Sequence, residues 1–517
     1  MANIVVCCDG TWNTPDDLDA GVAAPTNVVK IYNALAEKDG EEIPQKKYYH
    51  PGVGTDGGWW NKVAGGGAGD GLDQHIKGAY HWLARNYRPE DKIFLFGFSR
   101  GAFTVRSLGG MIAKCGLLDL SDPTIGADEA WLEVDKIFLA YRNSDDSAKS
   151  LKLYNRADKS KSSAGTTPIH FIGVWDTVGA LGIPDDMALL NLLDRVKDHS
   201  FHDTNLSKHV LHARHALAMD ERRATFTPTF WTNLDQHPDA KQIWFPGVHS
   251  DVGGGYGIVG LSNGALLWMI EEASAVDIGL AFRPKAVQQV VPDILGMLHD
   301  SVTTVFKALK TIPRCVPNVA DDAAADRFHP SARDRFKNPP IQQANFWPSR
   351  ALAKGESITV DVFARERWNY AGVFLDGGCK FKFTANGQWR DASIKCGPGG
   401  TEDNNFQIGE VVQIAASGLG KVEQLYRKAT GNEHADFWWT KRNEGLPWFA
   451  LIGVVANGPG ADSRGNPSPH REFLIGEKAN LTLEAGKGGY LYAYANDAWQ
   501  AYGNNTGSVS LTVTRVA

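Results

Sequence analysis

The 517-residue sequence has no apolar stretch approaching the ~20 residues that a membrane-spanning helix needs. Its first residues lack the basic segment followed by a long apolar segment of a secretory signal. Charged residues nearly balance, at a net charge of −6, and no run of like charge suggests a polybasic membrane tether. We therefore predict a soluble protein that is made in the cytoplasm and does not bind nucleic acid. Export without a signal peptide stays open.

Cysteine is scarce, and the six residues form neither a metal-binding spacing nor a disulfide framework. Cys7 and Cys8 lie in an apolar run, which predicts free, buried thiols, although Cys379 and Cys396 could pair in an exported protein. The glycine-rich stretch 52–71 lacks the Gly-Lys-Ser/Thr ending of a phosphate loop and does not open a helix as a dinucleotide motif would. It is interpreted as a mobile active-site flap rather than a nucleotide site.

Two patterns divide the chain. In the first part, short apolar runs alternate with helical spacing, which predicts an α/β fold with a parallel sheet and helical insertions. After Pro339 the helical spacing gives way to strict alternation and turns, typical of an all-β sandwich. The predicted domains are an α/β-hydrolase-like domain at 1–337, a linker at 338–354 and a β-sandwich at 355–517.

The segments behind this prediction are short. The expected strands of the first part are 4–8, 47–50, 92–98, 169–175 and 242–245, and the expected helical segments are 27–37, 72–87, 100–114, 122–158, 185–197, 209–219, 261–275 and 284–333. The expected strands of the second part are 357–362, 379–383, 479–483, 489–494 and 508–513.

The stretch 92–102 carries the strongest chemical signal. An apolar run meets a Gly-x-Ser-x-Gly motif at 97–101, and a helical pattern begins at Arg100. This is the pattern of a nucleophile elbow, in which glycines allow a tight strand-to-helix turn and the serine hydroxyl projects above the sheet. Ser99 is therefore the candidate nucleophile.

A serine hydroxyl is a weak nucleophile and needs a base together with an acid that orients the base. Asp176 ends an apolar run and His249 lies in a glycine-rich loop after another, so that Ser99, Asp176 and His249 follow the chain order of α/β-hydrolases. Two histidines rival His249 as the base, and Asp251 rivals Asp176 as the acid. A helix N-cap is the non-catalytic interpretation of Asp176. The rival histidines are His299 and His329.

An oxyanion hole is expected from backbone N–H groups. Arg100 follows the nucleophile, and Gly10 with Thr11 follows the first strand, where Asp9 would brace the loop. An ordinary turn remains the alternative interpretation of this early loop.

Four motifs together resemble a known family. Cys-Asp-Gly-Thr-Trp-Asn near the start, Gly-Phe-Ser-Arg-Gly-Ala, Val-Trp-Asp-Thr-Val-Gly and Phe-Pro-Gly-Val-His-Ser-Asp-Val-Gly-Gly-Gly-Tyr are similar to the α/β-hydrolase family that includes the first group of type VI secretion lipase effectors. The resemblance covers about residues 1–335 and implies a serine esterase acting on acyl esters, with phospholipases among its members. The extended membrane-binding modules of those effectors are not recognisable in this sequence.

A second cluster lies at 494–508. A hard cation such as Ca²⁺ needs six to eight oxygens, and this stretch offers a carboxylate, side-chain amides and a carbonyl, although an Asn-Asn pair is also common at a plain turn. The spacing resembles the calcium-dependent galactophilic lectin PA-I, over about residues 355–517. The resemblance implies Asp497, the Ala501 carbonyl, Asn504 and Asn505 as calcium ligands. The stretch from Gly400 to about Arg442 is longer than in the lectin.

The sequence therefore predicts a serine esterase or lipase, with phospholipid among its candidate substrates, and a calcium-binding, lectin-like domain that targets a membrane surface or a glycan. Hydrolysis itself requires no cofactor in this prediction. One alternative is a carbohydrate esterase acting on acylated glycans. Another is a carbohydrate-binding protein whose hydrolase domain is catalytically silent. Acyl length, head group, sugar specificity, oligomeric state and export route stay open.

Overall fold

The computed structural model describes residues 1–10, 16–52, 68–143, 150–154, 167–178, 205–303, 310–340, 349–401, 441–457 and 460–517. The contacts between residues divide the chain into two compact units. The first contains residues 1–303, 325–343 and 461–467, and the second contains residues 304–324, 344–460 and 468–517.

The first unit is built on a six-stranded parallel sheet. Its strands and a small hairpin are β1 Asn3–Cys8, β2 Leu18–Asp19, β3 Val22–Ala23, β4 Gln45–His50, β5 Lys92–Phe98, β6 Ile169–Trp175, β7 Val210–Ala218 and β8 Ala240–Phe245. The sheet order is β4-β1-β5-β6-β7-β8, and β2 pairs with β3 outside it. Because β1 has β4 on one side and β5 on the other, the strand order reverses there. Ligands of α/β proteins bind at the carboxyl ends of strands at such a point.

Helices cover both faces of this sheet. The helices of the first unit are α1 Asn27–Ala34, α2 Ala68–Asn86, α3 Arg100–Cys115, α4 Ala127–Asn143, α5 His249–Gly253, α6 Gly260–Ala273, α7 Pro284–Gln288 and α8 Pro330–Lys337. Alternate residues of β1 and β5 face a core shared with α2, α3 and α4, and the intervening residues face a core shared with α1 and α6. The completely buried β1 shows why its sequence is continuously apolar. The predicted α/β fold is confirmed.

Two helix predictions for the first part of the sequence are wrong. Strand β7, Val210–Ala218, occupies the segment predicted as a helix at 209–219, because its backbone pairs with β6 and β8. Its Arg214 also forms ion pairs with Asp239 and Glu272. Tertiary pairing here overrides helix propensity. Within 284–333 the described residues form helix only at α7, at a 3-10 segment Asp322–Arg327 and at the start of α8, since prolines interrupt the stretch.

Other predictions fall partly or wholly outside the described residues. These are the helix at 185–197, most of the flap at 52–71, residues 144–149 and 155–158 of the insertion at 122–158, and the centre of the linker at 338–354. No helix in the described part of the chain is long and apolar enough to cross a membrane.

The second unit consists of β-sheets. Its strands are β9 Arg350–Ala351, β10 Ser357–Phe363, β11 Asn369–Leu375, β12 Lys380–Asp391, β13 Ile394–Cys396, β14 Leu451–Asn457, β15 Arg471–Leu474, β16 Lys478–Thr482, β17 Gly489–Ala495 and β18 Asn505–Arg515. One sheet has the order β10-β18-β12-β13, with β16 also on β12, and the other has the order β15-β14-β17-β11-β9. Alternate residues of both sheets share one hydrophobic core.

The division into units does not coincide with the predicted boundary at 337. Residues before it belong to the second unit: the Val319 N–H donates to the Tyr490 hydroxyl at 3.0 Å, and Trp368 Nε1 donates to the Thr311 hydroxyl at 3.1 Å. These long-range side-chain bonds have no signature in the local sequence. All six cysteines are free thiols, Cys379 and Cys396 among them.

Candidate functional site

Ser99 occupies the turn between β5 and α3 in a conformation that few non-glycine residues adopt. Its φ is 57° and its ψ is −122°, and its N–H donates to the Trp175 carbonyl at 3.1 Å. The flanking glycines make this turn sterically possible. A Cβ on Gly97 would lie 2.5 Å from the Gly101 carbonyl oxygen, and one on Gly101 would lie 2.1 Å from the Cys8 carbonyl oxygen. The Gly-x-Ser-x-Gly sequence is therefore required by the close strand-to-helix crossing.

Asp176 follows β6 directly and is fully buried. Its N–H donates to the Ala216 carbonyl at 2.7 Å, and its Oδ1 accepts the Ala218 N–H at 3.0 Å. Its Oδ2 lies 2.6 Å from His249 Nδ1. The carboxylate is thus fixed by the neighbouring strand and aimed at the histidine.

His249 begins the short helix α5 rather than lying in an extended glycine loop, and its ring is buried. The ring lies 4.5 Å from the Phe98 ring and 4.9 Å from the Phe226 ring, so it is held beside the residue that precedes Ser99. Burial lowers the pKa of His249, and the hydrogen bond and charge of Asp176 oppose this shift. A buried imidazole with a lowered pKa is neutral at pH 7, and a neutral imidazole can accept a proton.

A buried ion pair that the sequence did not reveal supports His249. The Glu221 carboxylate accepts the His249 N–H at 3.3 Å and the Ser301 hydroxyl at 2.8 Å. It also accepts Arg223 Nε at 3.0 Å and Nη2 at 2.8 Å. The Arg223 guanidinium lies 3.5 Å from the centre of the Phe226 ring, which in turn packs on His249. The available signal was the charged run Asp-Glu-Arg-Arg at 220–223, placed directly after an apolar strand.

The rival residues have other partners. Asp251 accepts His299 Nδ1 at 2.6 Å and the Val248 N–H at 3.1 Å. His329 Nδ1 lies 2.8 Å from the Ser331 hydroxyl. Of the acids considered for His249, it is Asp176 that bonds its ring.

The predicted oxyanion loop follows β1. The Gly10 N–H donates to Asp9 Oδ1 at 2.8 Å, while Asp9 Oδ2 accepts the Thr26 and Tyr49 hydroxyls at 2.6 and 2.9 Å. Burial raises the pKa of Asp9 to about 6. Asp9 thus braces the loop. Thr11 lies outside the described residues. Arg100 is the first residue of α3 and directly follows Ser99.

Residues 2–272, more than half of the chain, match the family model described as the T6SS phospholipase effector Tle1-like catalytic domain. The chain belongs to this family. As a Tle1-like protein it also matches the uncharacterized protein YEL023C of Saccharomyces cerevisiae, with 32% identity over 254 residues, 46% of this chain and 33% of the relative. It therefore spans about a third of the length of that relative.

Three solved structures are similar to parts of this Tle1-like chain, each with a TM-score below 0.5. An uncharacterized protein from Pseudomonas aeruginosa is 19% identical, with a TM-score of 0.31, over 56% of this chain and 49% of that one. The Tle1 effector bound to the VgrG spike is 18% identical, with a TM-score of 0.28, over 50% of this chain and 52% of that one. The EclA N-terminal domain, a PllA-like lectin, is 17% identical, with a TM-score of 0.18, over 30% of this chain and 94% of that one.

The structure places the predicted calcium ligands of this Tle1-like chain close together. Asp497 is buried, and its Oδ2 accepts Asn505 Nδ2 at 2.9 Å. Asn504 Nδ2 donates to Asp391 Oδ1 at 3.0 Å, and the Ala501 carbonyl accepts the Asn504 N–H at 3.2 Å. Burial, followed by the charge of Asp391, raises the pKa of Asp497 to about 7. No group of three or more His, Cys, Asp or Glu residues in the described ranges is arranged to hold a metal ion.

Proposed function

We propose that the first unit is a serine esterase that hydrolyses acyl esters of lipids, with Ser99 as the nucleophile. The observation that carries this proposal is the buried Asp176–His249 pair, 2.6 Å apart, whose histidine packs on Phe98 immediately before the strained Ser99. Membership of the Tle1-like family, whose description names a phospholipase effector, supports phospholipid as the substrate. The acid and base are assigned by their hydrogen bond, and the serine is assigned by its elbow conformation.

The chemistry follows from these positions. The Ser99 hydroxyl attacks the ester carbonyl and gives its proton to His249 Nε2, since Nδ1 is bonded to Asp176. The Asp176 carboxylate stabilises the resulting imidazolium. The oxyanion accepts the Arg100 amide and an amide of the 10–11 loop. His249 then protonates the leaving alcohol, which leaves an acyl group on Ser99. A water molecule next gives a proton to His249, attacks this acyl-enzyme and releases the acid.

The Gly10 amide bears on this oxyanion assignment. Because it donates to Asp9 at 2.8 Å, it serves the substrate only when that hydrogen bond is shared or released. Burial raises the pKa of Asp9 to about 6, which weakens the preference of this carboxyl for its ionised, accepting form. The Arg100 amide, at the start of α3, is the donor that depends on no rearrangement of the Asp9 loop.

The test is active-site labelling. A fluorophosphonate probe is expected to label the folded protein at one serine, and the label and the hydrolysis of p-nitrophenyl butyrate are both expected to vanish in Ser99→Ala. Ser107→Ala is the matched control, since Ser107 is also buried and lies on the same helix α3. Absence of labelling in folded wild-type protein contradicts the proposal and favours the catalytically silent alternative. Activity confined to acetylated sugars favours the carbohydrate esterase.

We propose that the second unit binds Ca²⁺ through Asp497, the Ala501 carbonyl, Asn504 and Asn505, and that it is lectin-like. The fit is supported by the Asn505 Oδ1 atom, which is buried without a hydrogen-bond partner. A cation bound at this oxygen would satisfy it, because side-chain amide oxygens are calcium ligands. The pKa of Asp497 is raised by burial and then by the charge of Asp391, and the positive charge of Arg442 offsets this only in part. Once bound, Ca²⁺ would supply a further positive charge and an attachment point for sugar hydroxyls.

We also propose that the protein is exported without a signal peptide as a type VI secretion effector. The support is its membership of a family described by that secretion system. The expected outcome is that the tagged protein reaches the culture medium only from cells whose type VI apparatus is intact. Equal amounts in the medium of cells with and without the apparatus would contradict this proposal.

A further inference from the structure

Large apolar side chains of the first unit are exposed in three segments. One is the β2–β3 hairpin, and the other two, residues 256–260 and 291–297, follow α5 in the chain. Leu18 is 67% exposed, Val22 56% and Ile258 54%. We call the full set the apolar strip: Leu18, Val22, Ile258, Val291, Ile294, Leu295 and Met297. Contiguous exposed apolar surface on a protein commonly marks a site of association.

The three segments are in contact with one another. A Cβ on Gly257 would lie 3.4 Å from the Val22 Cβ, and the Gly257 N–H donates to Asp19 at 2.9 Å. On the other side, the Asp293 N–H donates to the Gly260 carbonyl at 2.9 Å. The hairpin, residues 256–260 and residues 291–297 therefore lie next to one another in the fold, and each of them carries exposed apolar side chains.

This surface adjoins the proposed catalytic base. The Tyr256 ring stacks on the His299 ring at 3.8 Å, and His299 Nδ1 lies 2.6 Å from Asp251 Oδ1. Asp251 lies on α5, two residues after His249. The segment that carries Ile258 therefore contacts, through Tyr256 and His299, the helix that carries His249.

The charge around the strip selects between possible partners. The segments 16–23, 256–260 and 291–297 contain four aspartates and neither lysine nor arginine. The buried Arg335 guanidinium contacts the last segment from within the fold, donating to the Ile294 and Gly296 carbonyls at 2.7 and 2.9 Å. These carboxylates repel an anionic membrane or another polyanion. They complement the outward ammonium groups of zwitterionic phospholipids.

We propose that the apolar strip docks the protein on a zwitterionic phospholipid surface. The strip side chains enter the boundary between head groups and acyl chains, and the aspartates meet the ammonium groups. The inference rests on the proposed function, which it narrows: the substrate is taken from a lipid surface and not from a soluble acylated glycan.

Vesicle co-sedimentation tests the docking without hydrolysis. Full-length Ser99→Ala protein is mixed with phosphatidylcholine vesicles and, separately, with phosphatidylglycerol vesicles. Binding to phosphatidylcholine is expected, with at least about tenfold weaker partitioning after Leu18→Ser with Ile258→Ser, because each buried aliphatic side chain contributes about one tenfold step or more. Leu132→Ser on α4 is the matched control, since Leu132 is 62% exposed and lies outside the strip. Its partitioning is expected to be unchanged.

A second readout uses the active protein. The ratio of phosphatidylcholine vesicle hydrolysis to p-nitrophenyl butyrate hydrolysis is expected to fall about tenfold in the double variant and to hold in Leu132→Ser. Equal partitioning of the double variant and wild type, tighter binding to phosphatidylglycerol, or a change of oligomeric state without loss of vesicle binding each overturns the proposal. If the proposed function fails, the butyrate ester is not cleaved, while the sedimentation result still decides the docking.

Discussion

At the scale of single residues, the sequence predicts the positions at which a tight backbone turn allows only certain residue types. Gly97, Ser99 and Gly101 are predictable because a tight turn at a positive φ requires this pattern. Asp176 and His249 are predicted from chain order and from their places after strands, and the structure brings their side chains within 2.6 Å of each other. Glu221 was not, because a carboxylate buried against an arginine looks in sequence like any charged surface turn.

The first prediction concerns His249. Its buried imidazole has a pKa below the usual 6.5, and the base must be neutral to accept the Ser99 proton. The rise of kcat/KM with pH is therefore expected to have its midpoint below pH 6.5, measured with a soluble p-nitrophenyl ester. Asp176→Asn removes the group that raises this pKa and fixes the tautomer. The midpoint should shift to still lower pH, and kcat should fall about 10³- to 10⁴-fold.

Two outcomes would count against this assignment. One is a midpoint above pH 6.5 in the wild type, which would place the titration on another group. The other is an Asp176→Asn variant with kcat within tenfold of the wild type. Asp251→Asn serves as the comparison, because Asp251 bonds His299 rather than the His249 ring.

The second prediction concerns Gly101. An alanine there would bring its Cβ within 2.1 Å of the Cys8 carbonyl oxygen, so α3 must move away from β1. Gly101→Ala is expected to lower the free energy of unfolding by about 3 kcal/mol in urea denaturation. Gly264→Ala is the matched control: it lies in α6, and nothing is within 4 Å of its added Cβ. That variant should gain roughly 0.5–1 kcal/mol. Equal stability of the two variants would refute the close crossing.

At the scale of elements, periodicity predicted long segments well and short ones poorly. The helices α2 and α3 and the strands β1 and β5 follow directly from apolar spacing. The strand β7 was mistaken for a helix because alanine-rich, polar-interrupted segments fit both periods, and only pairing with β6 and β8 decides between them. Helix α5 has only five residues, too few for a periodic signal.

The third prediction tests how α5 is held. Glu221→Gln leaves a neutral amide against the Arg223 guanidinium and weakens the bond to the His249 N–H. The free energy of unfolding is expected to fall by about 3–5 kcal/mol. Because Glu221 acts through His249 as a positioning residue, kcat for a soluble ester should fall at least about tenfold with KM nearly unchanged.

Arg222→Gln provides the control for this variant. Arg222 forms a 3.4 Å ion pair with Asp300, and both side chains are largely exposed. Such a pair contributes about 0–1 kcal/mol, so both stability and kcat should stay close to those of the wild type. If the Glu221→Gln enzyme is less stable but its kcat is unchanged, the ion pair between Glu221 and Arg223 has only a structural role.

At the scale of the whole molecule, composition separated an α/β part from a β-rich part, and the structure has both. The change from helical spacing to alternation marks this transition because each period reflects which faces are buried. The exact division was beyond the sequence. Residues 310–324 join the second unit through bonds such as that between Val319 and Tyr490, and such partners are far apart in the chain.

The last prediction uses this division. If Asp497, Asn504 and Asn505 bind Ca²⁺, only the folded second unit provides the site, so calcium should raise the melting temperature of the chain. At a free calcium concentration of 100 times Kd the added stability is about 2.7 kcal/mol, an increase of several degrees. Asp497→Ala should abolish the increase, whereas Asp361→Ala, an exposed aspartate of β10, should retain it. An increase that survives in Asp497→Ala would place calcium elsewhere, and no increase in the wild type would remove the metal from the second unit.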